Sequence, residues 1–178
     1  MNDSDLLHPL YQFYRAAGLP LPAVSLLEGE AVPEPYRGLL MHGSDMTSTL
    51  EKFHQQQIHL RVLDMRDGGD TFSREVVLVL DSNDKPVEFG AIILYMDRFA
   101  PDVQDLIRAC GRPLGGILNS QSIEYASRPR AFFRLNSDSA MNEALRLEGP
   151  HTLYGRRNTL FDREEQPLAD IVEILPPV

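Results

Sequence analysis

Between Ile58 and Phe99 three apolar or alternating runs are joined by two turns too short for anything but a reversal. Ile58, Leu60, Val62 and Met65 roughly alternate with His59, Arg61 and Asp64, which predicts a half-buried strand. Arg66 to Asp70, with Gly68 and Gly69, predicts a turn, and Arg74 to Asp81 a second strand. Asn83-Asp84-Lys85 predicts a hairpin turn, and Val87 to Phe99 a third, long strand. Strands joined this tightly run antiparallel, because parallel neighbours need a crossover of a dozen or more residues. Gly90, inside the third strand, marks a bulge or a point of close approach.

Helical segments flank this meander. Asp3 or Ser4 can cap an N-terminal helix carrying Leu6, Leu10, Phe13 and Tyr14, which Gly18 and Pro20 end. Pro22 fits the first turn of a short helix through Leu26 and Leu27. Glu28 to Gly38, with Pro33 and Pro35, reads as an irregular crossing. Ser44 or Asp45 caps a helix to about Gln56, with Met46, Leu50 and Phe53 on one face. Pro101 starts a helix to Ala109, Pro113 another through Ile117 and Leu118, and a short helix runs near Met141 to Leu147. Arg130 to Leu135, Thr152 to Phe161 and Leu168 to Leu175 complete the strands. The predicted class is α+β: about six antiparallel strands with helices on one face, the connections being too rich in helix for a plain barrel. No repeat or linker divides residues 1–178, which predicts one domain.

Charge narrows the partners. The 26 acidic and 17 basic side chains give a formal net charge of −9, which opposes phosphate backbones and anionic membrane surfaces. Nucleic acid and membrane are therefore not expected partners, although a local pocket for a small anion remains open. Cys110 is the single cysteine, so an intramolecular disulfide or a cysteine metal cluster is excluded. His8, His42, His54, His59 and His151 lack metal-ligand spacing, and Gly-rich phosphate loops and hydrolase motifs are missing, so neither metal nor cofactor is expected. Met1 to Leu10 carries Asp3 and Asp5 with no apolar core of a signal peptide, and the longest apolar runs, such as Ala91 to Met96, are too short to span a bilayer. The expected location is cytoplasmic.

Arg74 heads an otherwise apolar strand, Val76-Val77-Leu78-Val79-Leu80. Spacing alone favours an exposed strand-end arginine snorkelling to water. Turned inward, its planar fork would grip a carboxylate by two hydrogen bonds. Glu173 interrupts Ile171-Val172-Glu173-Ile174-Leu175 and shares a face with apolar neighbours, which is unusual for a solvated glutamate; if buried it must be paired or carry a raised pKa. Arg156 and Arg157 lie on opposite faces of one strand, so one of them can face a site, and two fold-stabilising ion pairs are the competing reading. Met46 and Leu114 are ordinary core types placed at helix starts, where backbone N–H groups lack intrahelical partners.

Six short segments in order, Ser44-Asp45-Met46-Thr47, Arg74 to Leu78, Pro86 to Gly90, Pro113-Leu114-Gly115, Gly155 to Asn158 and Pro167 to Pro176, resemble the chorismate lyase family and its sister group of small prokaryotic proteins. The likeness covers about residues 39 to 176. It implies a six-stranded antiparallel sheet with helical flaps over an internal site, and cofactor-independent conversion of chorismate to 4-hydroxybenzoate and pyruvate. By position it implies that Arg74 holds the ring carboxylate, assisted by the Met46 and Leu114 amides, with Glu173 near the ring hydroxyl. Arg74 and Glu173 are thus the candidate catalytic pair, and Met46, Leu114 and Arg156 candidate binding residues. The arginine that follows the strand glycine in the better-known lyases is Ala91 here, so a second carboxylate would need Arg98, Arg128 or Arg156. A related fold serves as the effector domain of some transcription regulators, which makes a non-catalytic carboxylate-binding module the alternative. A lyase or isomerase acting on another enolpyruvyl or cyclohexadiene carboxylate is a third reading.

Overall fold

The computed structural model describes residues 2–178. Seven strands, β1 (Val24–Leu27), β2 (Ile58–Asp67), β3 (Thr71–Leu80), β4 (Pro86–Tyr95), β5 (Ala126–Asn136), β6 (Thr152–Phe161) and β7 (Pro167–Leu175), form one open sheet in the order β1-β5-β6-β7-β4-β3-β2. Every neighbouring pair is antiparallel. The helices are α1 (Asp3–Leu6), α2 (Leu10–Ala16), α3 (Tyr36–Leu40), α4 (Met46–His54), α5 (Pro101–Arg108), α6 (Leu114–Ser120) and α7 (Ser139–Leu145). The α+β class and the antiparallel meander match the sequence reading.

Four local expectations are corrected. The helix expected after Pro22 is strand β1, paired with Phe132 to Leu135 of β5, and it raises the strand count from about six to seven. The Leu-Pro-Leu-Pro run biases its residues toward extended backbone, and a helix this short cannot repay its own nucleation. The single N-terminal helix is two, because Pro9 cannot continue the hydrogen-bond ladder; its cap is Asn2, reciprocated by Asp5, and not Asp3 or Ser4. β3 begins at Thr71, because Asp67 and Phe72 already pair, so Arg74 sits inside the strand and not at its head. Phe53, expected beside Met46 and Leu50, lies in the last turn of α4 and is largely exposed.

Helices cover both faces, not one. Side chains of directly paired residues share a face, so the register assigns each residue to a side. Val77, Phe89, Ile174 and Phe133 lie on one side, where Leu10, Phe13 and Tyr14 from α2 and Met141 and Leu145 from α7 close a dry core over them. The other side carries two separate apolar clusters. In one, α5 and α6 bring Ile107 and Ile117 against Phe72, Leu94 and Leu160. In the other, α3 and α4 bring Leu40 and Leu50 against Leu78, Leu80 and Leu175. Arg74, Glu88, Glu173 and Arg156 lie between these clusters, while Ser73, Thr159 and Asp170 belong to the first face.

Candidate functional site

Two rows of cross-strand partners make the floor of a cavity. Val76, Gly90, Glu173 and Arg156 lie side by side on β3, β4, β7 and β6; the next row is Arg74, Ile92, Ile171 and Asn158. Gly90 is the close-approach point the sequence marked: a Cβ there would stand 2.1 Å from the Val172 carbonyl oxygen. The roof is the meeting of α4 and α6, which allows no side chain at Gly115, since a Cβ would come within 2.9 Å of the Asp45 carboxylate. Asp45 itself caps α4 by accepting from the Ser48 N–H at 2.8 Å. The space between floor and roof is partly open and measures about 70 Å³, several times what one water molecule occupies.

Arg74, Glu173, Met46 and Leu114 all line this cavity, the latter two as the first residues of α4 and α6. Arg74 is 2% exposed. Its Nη2 donates to the Arg112 carbonyl at 3.3 Å, while Nε and Nη1 have no partner among the described residues. Burial pulls its guanidinium pKa below the usual arginine value. An arginine left with free N–H groups in an apolar cavity is costly unless something anionic completes it.

Arg156 stands on the cavity face but does not line the cavity, and its contacts are those of the ion-pair reading. It is fully buried and lies behind Glu173, whose Oε2 accepts from Arg156 Nε. Its Nη1 also donates to the carbonyls of Leu40 at 2.9 Å and His42 at 3.1 Å. It therefore fastens the α3–α4 connection to the sheet. Arg157 turns to the other face, where it donates to the Asp5 carbonyl at 2.9 Å. The two other cations considered for a second carboxylate are elsewhere: Arg98 is beside Asp97 and Arg128 is paired with Glu165, both partly exposed. Ala91 packs in the dry core of the opposite face.

The sequence reading missed Glu88. It lines the cavity, is 5% exposed, and its Oε2 has no hydrogen-bond partner among the described residues. Burial raises its carboxyl pKa well above the ordinary range, the nearby Glu173 charge adds to that, and Arg156 opposes it. The signal was present: Glu88 breaks the run from Pro86 to Tyr95 as Glu173 breaks its own. Asn158 also lies here, bonded to the Ser127 hydroxyl at 2.9 Å. Chemically, the cavity offers one cation with free donors, one carboxylate already paired, one carboxyl without a partner, the polar groups of Asp45, Thr47 and Asn158, and otherwise apolar walls.

No family model and no curated protein matches the chain. Solved structures do. PhnF from Mycobacterium smegmatis superposes with a TM-score of 0.60 at 12% identity, covering 76% of this chain and 64% of that one. The effector domain of the same protein gives 0.58 at 12% identity, covering 76% and 90%. A Bordetella bronchiseptica structure described as the ligand-binding domain of a GntR-family transcriptional regulator gives 0.50 at 14% identity, covering 67% and 85%. The chain thus spans less than two thirds of the whole PhnF structure, and at such identities the likeness establishes the fold alone. Among the described residues no helix is long and apolar enough to cross a membrane.

Proposed function

We propose that this chain is a binding module for a small organic carboxylate, anchored by Arg74. The observation that carries the reading is the buried Arg74 guanidinium, with two N–H-bearing nitrogens free, at an apolar cavity roofed by two helix starts. A carboxylate is the natural complement of that fork, since it accepts two parallel hydrogen bonds and neutralises the charge. Met46 and Leu114 shape the roof over the ligand, and the Glu173–Arg156 pair holds the floor and the α3–α4 connection in register. The fold shared with an effector domain and a ligand-binding domain supports binding without reaction.

The second reading is the pyruvate-releasing lyase that turns chorismate into 4-hydroxybenzoate; it is favoured by Arg74 and Glu173 lining one cavity. Chorismate carries two carboxylates, however, and Arg74 is the one cation lining the cavity without a carboxylate partner, since Arg156 is paired with Glu173, which makes a monocarboxylate the better match.

Calorimetric titration with 4-hydroxybenzoate tests the module. Saturable binding is expected, with a loss of roughly tenfold or more in Arg74→Leu, the worth of a charge-assisted hydrogen bond. The unliganded Arg74→Leu protein should melt no lower than wild type, because the substitution removes an uncompensated buried charge. Incubation with chorismate is expected to leave it unchanged. Equal amounts of pyruvate and 4-hydroxybenzoate, lost in Arg74→Leu, would replace the module by the lyase, and absence of any binding would remove both.

A further inference from the structure

Glu88 has no place in the scheme above, yet it is among the most deeply buried ionisable groups of the cavity. Its neighbours fix its chemistry. Glu173, across β4 and β7, already takes the Arg156 guanidinium, so the two carboxyls share one buried cation. Two ionised carboxylates there would leave an uncompensated charge in an apolar enclosure, and the proton goes to the group that the arginine does not hold. A protonated carboxyl is a hydrogen-bond donor as well as an acceptor.

Its position along the floor is equally defined. Arg74 pairs with Ile92 and Glu88 with Leu78, so the two polar groups are four residues apart along β4. At about 3.3 Å per residue that is about 13 Å of backbone, with Val76 and Gly90 between them as apolar floor. The remaining charges around the cavity are Glu173, matched by Arg156, and Asp45 at the roof, whose carboxylate is occupied by the Ser48 N–H and hydroxyl. A second anionic group on a ligand would meet Glu88, Glu173 or Asp45, and the one cation near that end, Arg156, is already neutralised by Glu173 although its Nη2 has no hydrogen-bond partner among the described residues.

We infer that Glu88 is the second polar anchor of the cavity, an uncharged carboxyl donating a hydrogen bond to an oxygen at the ligand end remote from Arg74. The ligand class is therefore a small monocarboxylate with an uncharged oxygen acceptor opposite its carboxylate, and not a dicarboxylate. This rests on the carboxylate-binding reading and narrows it.

Three probes separate the two claims: benzoate, 4-formylbenzoate, whose added carbonyl only accepts, and terephthalate, whose added group is a second carboxylate. Wild type should bind 4-formylbenzoate roughly fivefold more tightly than benzoate, the worth of one neutral hydrogen bond. Glu88→Gln, which keeps an N–H donor in nearly the same shape, should retain most of that preference, and Glu88→Leu should abolish it. A cooperative thermal unfolding transition in each unliganded variant is the folding control. Terephthalate should bind less tightly than 4-formylbenzoate. Equal binding of the two monoacids by wild type, a preference that survives Glu88→Leu, or terephthalate as the tightest ligand overturns the role of Glu88 while leaving the carboxylate site standing. If wild type binds none of the three, or benzoate binding ignores Arg74→Leu, the carboxylate reading falls and this inference with it.

Discussion

The two faces of the central sheet are built from the same strands by alternation, broken at a few bulges, yet they differ in what they bury. On one face Val77, Phe89, Ile174 and Phe133 are sealed by α2 and α7 into a core of apolar side chains. On the other, one residue along each strand, stand Arg74, Glu88, Glu173 and Arg156, all buried. The difference is made by the covering helices. On the first face they close one continuous apolar cluster; on the second, the starts of α4 and α6 meet, with Gly115 against Asp45, and leave a gap between two apolar clusters. Buried charges are weak devices for stability, and an apolar replacement of similar volume is often neutral or better. Four ionisable groups along one gap, none of them needed for the core opposite, are what a binding site requires and a core does not.

The largest effect that would break this contrast is expected at Arg156. Arg156→Met strips Glu173 of its partner and the Leu40 and His42 carbonyls of their donor, and should lose about 3–5 kcal/mol in urea unfolding. Arg156→Met combined with Glu173→Leu should recover much of that loss, because the charge left behind, not the missing bond, dominates. If the double variant is as unstable as the single one, the pair is structural in its own right and the cavity face is less distinct from the core than claimed.

A smaller, opposite case sharpens the comparison. Ile174→Val removes one methylene from the sealed face and should lose about 1 kcal/mol, with no change in benzoate affinity. A change of ligand affinity beyond experimental error would show that the two faces are mechanically coupled through the shared strands.

What the sequence showed of this contrast follows from how far its signals reach. Alternation and turn chemistry are local, so β2 to β4 and β5 to β7 were legible, and so was the odd position of Glu173 among apolar neighbours. β1 was not, because four residues after a proline pair carry almost no period, and only pairing with β5 makes them a strand. Arg74 was legible as a candidate but its burial was not, since spacing cannot tell an arginine that snorkels from one that a helix roof covers. Glu88 obeyed the rule that exposed Glu173 and was passed over, because one acid in a strand is ordinary until its neighbours across the sheet are known. The partnership of Arg156 with Glu173, rather than with a ligand, is likewise a property of register between β6 and β7 that neither segment contains alone.

The smallest expected effect lies at the rim of the sealed face, where Glu75 is half-buried beside Leu63 and Phe89. Burial, with the charges of Asp64 and Asp138, pushes its carboxyl up from 4.5 to about 7, and Arg66 works against them. The folded state then holds a proton that the unfolded chain releases between pH 4.5 and 7. Stability from this group is accordingly full below that window, falls as the pH rises through it, and is flat above. Partial exposure keeps the whole change below about 1 kcal/mol. Glu75→Gln should therefore melt higher than wild type at pH 8 and together with it at pH 4, in thermal scans across the range. Identical pH profiles for the two proteins would mean that water reaches Glu75 freely, and that the sealed face is open at this edge.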